Sequence, residues 1–67
     1  MNFSKTIKEL REQNNYTQNF VAKKLGIRQS SYNKYETGKS RPEYENLVKL
    51  AQLYDVSIDY LLENKEL

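Results

Sequence analysis

Apolar residues return along this chain at intervals of three and four, and each run of them is closed by a recognisable boundary residue. Phe3, Ile7 and Leu10 make the first stripe and predict a helix from about Phe3 to Gln13, which Asn14, Asn15 and Tyr16 end. Thr17 offers a hydroxyl to an orphan backbone N–H, so a second helix is predicted over QNFVAKKL, with Val21 and Leu25 one turn apart. Gly26 fits the left-handed position that closes it, where any Cβ costs energy. A third helix follows from about Gln29 to Thr37, with Tyr32 and Tyr35 facing inward, and stops at Gly38. Pro42 marks the start of a fourth, about Glu43 to Tyr54, predicted to bury Tyr44, Leu47, Leu50, Ala51 and Tyr54. Ser57 caps a last helix holding Ile58, Leu61 and Leu62. The pattern predicts an all-α fold of five short helices.

Composition narrows what such a fold can do. A chain of 67 residues has room for one domain, and no repeat, linker or low-complexity stretch divides it, so residues 1–67 are read as one unit. It has no Cys and no His, which removes disulfides, thiolate metal sites, the commonest general base and the commonest metal ligand. With the carboxylates scattered, no enzymatic activity, metal, cofactor or small-molecule ligand is expected. No apolar run reaches the length of a membrane span, and the charged N-terminus lacks a signal-peptide core, so the expected compartment is the cytoplasm.

The net charge of +2 is uninformative until it is divided. Residues 1–42 carry nine basic groups against three acids, or +6; residues 43–67 carry two against six, or −4. That polarity suits a basic face for a polyanion and an acidic face turned away, although a merely solvated surface gives the same count. The tyrosines divide similarly. At helical spacing Tyr35, Tyr44 and Tyr54 read as core residues with the hydroxyl at the rim, while Tyr16, at a helix start, fits stacking on a base equally well.

Two short helices joined by a Gly turn, the second rich in polar residues, have the form of a helix-turn-helix over about residues 17–37. Such a unit needs a small residue where the helices cross, a turn glycine, an apolar anchor and an outward polar set. Ala22, Gly26, Tyr32 and the group Gln29, Ser30, Asn33, Lys34 meet those needs in order.

Beyond that pattern, TQNFVAKKLGIRQSSYNKYETGKSRP resembles the core of the Cro/CI-type (XRE-type) helix-turn-helix family of DNA-binding repressors. NLVKLAQLYDVSIDYLL is similar to its fourth and fifth helices, so the resemblance spans roughly residues 3–62. It implies a compact five-helix, lambda-repressor-like domain and a sequence-specific regulator of transcription, a repressor, whose third helix enters the major groove of double-stranded DNA. By the same resemblance Gln29, Ser30, Asn33 and Lys34 are expected to read bases, Gln suiting adenine and Lys guanine. Gln18, Arg28, Lys39, Ser40 and Arg41 are expected to hold phosphates. Arg11 and Glu36 occupy positions of a partly buried ion pair. A homodimer on a palindromic site is expected, with Leu53, Tyr60 and Leu62 as contacts on the fifth helix and the tail LLENKEL, although those residues serve equally well to close the core.

Three departures stand out. Arg28 replaces the family's Ser or Thr cap, so the third helix has a weakened cap unless Ser30 or Ser31 compensates or a bound phosphate fills the gap. Phe20 replaces a Glu and removes the capping box; it packs under Tyr16 or marks a partner contact. Asp55 replaces a Gly after the fourth helix, which Asp tolerates. The rival reading is a protein-interaction or antitoxin-like module of the same fold with little DNA readout.

Overall fold

Local hydrogen bonds set several of the helix boundaries. In the computed structural model, which describes residues 3–63, the helices are α1 Phe3–Gln13, α2 Gln18–Leu25, α3 Gln29–Glu36, α4 Tyr44–Tyr54 and α5 Ile58–Glu63. No strand occurs among the described residues. Thr17 caps α2, its Oγ1 accepting the Phe20 N–H at 3.0 Å. Gly26 ends α2 at φ +74°, which lets its N–H reach Lys23 O and the Ile27 N–H reach Ala22 O. Asp55 ends α4 in the same left-handed conformation, at φ +55°. Ser57 Oγ accepts the Tyr60 N–H at 3.0 Å and starts α5.

Every helix contributes to one apolar core: Phe3 and Ile7 from α1, Val21, Ala22 and Leu25 from α2, Tyr32 and Tyr35 from α3, Leu47, Leu50, Ala51 and Tyr54 from α4, and Leu61 from α5. Full burial of a large apolar side chain contributes about 1.5–3 kcal/mol, so the fold rests chiefly on this cluster. Ala22, within α2, is 1% exposed. At the far end of α3, Gly38 adopts φ +79° and lies against Ser4, whose hydroxyl donates to the Tyr35 carbonyl at 2.6 Å. That bond ties the first turn of α1 to the last turn of α3.

The fourth helix departs from its sequence pattern in two ways. It begins at Tyr44, with Glu43 as N-cap, rather than at Glu43 itself. Tyr44 shares the stripe of Leu47, yet it is 73% exposed rather than buried. α4 packs on α2 and α5, and Tyr44, in its first turn, lies outside the core that Leu47, Leu50, Ala51 and Tyr54 join. Periodicity identifies a stripe but does not say where its partner surface stops.

Candidate nucleic-acid interface

The outer face of α3 carries Gln29, Ser30, Asn33 and Lys34, all exposed, while Tyr32 and Tyr35 point the other way into the core. Gln29 and Asn33 are one turn apart, as are Ser30 and Lys34, so the four make two adjacent rows on one surface. The two tyrosine rings meet edge to face at 5.9 Å and fix the rotation of the helix about its own axis. At the N-terminal end Arg28 is the N-cap, in extended backbone with φ −77° and ψ 152°, and no side chain caps the helix. Neither Ser30 nor Ser31 compensates. No acid lies in the first turn, so the positive end of the helix dipole faces solvent unopposed.

Beyond α3 the chain folds back on itself. The Lys39 and Ser40 N–H groups both donate to the Lys34 carbonyl, at 2.9 and 3.2 Å. Lys39 and Arg41 are exposed and Ser40 is half-buried. Lys34, Ser40 and Arg41 line an open groove between α3 and the start of α4, together with Ile27, Ser31, Tyr35, Glu43 and Asn46. Lys39, Arg41 and exposed Arg28 thus flank α3 from both of its ends.

The C-terminal end of α3 is organised around Glu36. Its side chain is 3% exposed and lies against Arg11, whose side chain is 13% exposed. Arg11 Nε donates to Glu36 Oε2 at 2.7 Å and Nη2 to Oε1 at 3.0 Å, a bidentate pair. The Tyr32 hydroxyl donates to Oε2 and Gln18 Nε2 to Oε1 at 3.0 Å. Arg11 Nη1 donates to the Tyr16 carbonyl at 3.0 Å, which holds the loop before α2. Burial pushes the Glu36 carboxyl up, but the hydrogen bonds from Arg11, Tyr32 and Gln18 more than offset it, leaving its pKa below the usual carboxylate value. The bond to Glu36 in turn raises Arg11, and burial raises Tyr32 and Tyr54 above the usual phenol range.

Gln18 is half-buried at the start of α2, and its amide is engaged within the protein. Besides Glu36, its Nε2 donates to Asn33 Oδ1 at 3.1 Å, so a residue expected on phosphate and one expected on a base are bonded to each other. Sequence reasoning does not reach this contact, nor the roles of the Tyr32 hydroxyl and the Tyr16 carbonyl. Only the four-residue spacing of Tyr32 and Glu36 was a usable signal. Leu53 and Leu62 are half-buried against the core; Tyr60 is half-buried on α5, and residues 64–67 of the tail lie outside the described residues. Phe20 is 38% exposed, with its ring 4.5 Å from that of Tyr16 and Lys24 Nζ 5.3 Å from its centroid.

Among the described residues no cluster of His, Cys, Asp or Glu could hold a metal ion, and no helix is long and apolar enough to cross a membrane. Residues 7–61 match the family described as helix-turn-helix. The chain is 41% identical to an uncharacterised HTH-type transcriptional regulator, YqaE, of Bacillus subtilis, over 94% of this chain and 54% of that protein. It is 46% identical to the cryptic phage CTXphi transcriptional repressor RstR of Vibrio cholerae, over 79% of this chain and 53% of the relative. The chain therefore spans about half the length of these curated relatives. Its backbone is similar to that of the P22 c2 repressor protein, solved in complex with a synthetic operator. The TM-score is 0.91 at 25% identity, over 97% of this chain and 98% of that one.

Proposed function

The chain belongs to the helix-turn-helix family of XRE type, and on that premise we propose that it is a sequence-specific double-stranded DNA-binding regulator of transcription, acting as a repressor. The observation that carries this reading is the exposed double row Gln29, Ser30, Asn33, Lys34 on a short helix whose other end is hydrogen-bonded into the protein. A helix presented in this way enters the major groove with its N-terminal half, where side chains reach base edges. Lys34 and Gln29 are the strongest base readers on chemical grounds, each contributing about 1–3 kcal/mol of discrimination when well placed. Arg28, Lys39, Ser40 and Arg41 hold the flanking phosphates, joined by the free backbone N–H groups at the start of α2.

One such unit reads a handful of base pairs, so the regulator binds as a homodimer on half-sites about one helical turn apart. Tyr60, Leu53 and Leu62, each half-buried, are the contact residues of this reading. The reading is tested by selecting bound sequences from a random duplex library and titrating the selected duplex against salt. Enrichment of a palindrome, with affinity falling by a log–log slope of about −0.9 for each phosphate held, supports it. Binding without enrichment, or no binding at low salt, favours a protein-interaction module of the same fold.

A further inference from the structure

The hydrogen bonds that join Glu36 to Asn33 have a direction, and that direction reaches the outer surface of α3. An ionised carboxylate only accepts. Glu36 receives Arg11 Nε and Nη2, the Tyr32 hydroxyl and Gln18 Nε2, four donors for about four lone-pair positions. Gln18 must therefore turn its NH2 group, not its carbonyl, toward Glu36. The same nitrogen lies 3.1 Å from Asn33, which can answer an N–H only with Oδ1. One lone pair of the Asn33 carbonyl is thereby engaged toward α2, and its Nδ2 is the part of the amide left wholly free for a ligand on an exposed side chain.

Building on the DNA-binding reading above, we propose that Glu36, acting through Gln18, orients the Asn33 amide so that Nδ2 is the atom it presents first to DNA. Such a contact takes an acceptor that brings no donor of its own, either a phosphate oxygen or the N7/O6 edge of guanine. It competes with the bidentate pairing with adenine, for which Oδ1 must also face the base with the one lone pair that Gln18 leaves it. Gln18 is then a positioning residue, because both of its amide hydrogens are used within the protein. At this end of α2 the phosphate is held by backbone N–H groups and not by the Gln18 side chain. The buried ion pair thus sets the donor pattern of the surface as well as the angle between helices.

The free protein, labelled with 15N, gives the first test. The Gln18 side-chain NH2 should exchange slowly and the Asn33 NH2 rapidly; a protected Asn33 with a free Gln18 overturns the proposal. The second test is a double-mutant cycle on a duplex selected by the wild type. Asn33→Ala should weaken binding about tenfold, and adding Gln18→Ala should cause no further loss. If the acceptor is guanine, Asn33→Ala relaxes one base position and Gln18→Ala admits adenine there. If it is a phosphate, Asn33→Ala weakens all sequences alike and flattens the salt slope by about one contact. Additive losses on a duplex that the wild type binds overturn this proposal alone. Failure of the wild type to bind any duplex overturns the functional reading and this proposal with it.

Discussion

At its C-terminal end α3 is fastened to α1, to α2 and to the loop before α2 through one carboxylate and its arginine. At its N-terminal end the same helix has no side-chain cap, no acid in the first turn, and only exposed polar residues facing outward. The two ends differ in what they lack. The Glu36 end has every acceptor filled and almost no exposure, so it is fit to fix geometry and unfit to bind anything new. The Arg28 end has unpaired N–H groups and a positive dipole, so it is intrinsically less stable and ready for an anion. Rigidity at one end is what allows incompleteness at the other.

The largest effect should come from the filled end. Glu36→Ala leaves the half-buried Arg11 guanidinium without its partner and Tyr32 and Gln18 without their acceptor, a loss of about 3 kcal/mol. In a chain of this size that lowers the melting temperature by on the order of ten degrees or more; an unchanged melting temperature by calorimetry would show that the two ends do not differ in this way. At the open end the sign reverses. Arg28→Ser supplies the missing cap and should stabilise the free protein by about 1 kcal/mol while weakening DNA binding, as read by denaturant melts and titration. Between the ends, Gly26→Ala should destabilise by about 1 kcal/mol. The added Cβ meets no atom within 4 Å, so the whole effect is the left-handed backbone at φ +74°.

A gentler probe of the filled end is pH. The Glu36 carboxyl is more acidic folded than unfolded, so the unfolded chain takes up the proton first as pH falls. Its contribution is complete above the ordinary value of 4.5 and is lost as pH drops through the lower folded value. The stability difference between the wild type and Glu36→Gln should therefore be constant above that value and shrink below it. A difference that grew on acidification would mean that Glu36 is not held as the charged form.

Helix existence, order and caps were readable from spacing and boundary residues: Thr17, Gly26, Asp55 and Ser57 act locally, and local rules find them. Tyr44 was misread because burial depends on how far a neighbouring surface extends, which no local pattern encodes. The polar rows of α3 were legible because helical spacing alone puts Gln29 beside Asn33 and Ser30 beside Lys34. The bond from Gln18 to Asn33 was not. It joins residues fifteen apart in the chain, and only the angle between α2 and α3 brings the two amides together.

On the proposed function, the outer face of α3 reads base sequence while the loop beyond the helix holds the backbone. The most direct measurement compares random-library selections for the wild type, Lys34→Ala and Lys39→Ala. Lys34→Ala should lose preference at one base pair per half-site, by about 1–3 kcal/mol, with the other positions intact. Lys39→Ala should keep every preference and weaken all sequences alike. Identical behaviour of the two variants would contradict the division of α3 and its loop into readers and clamps.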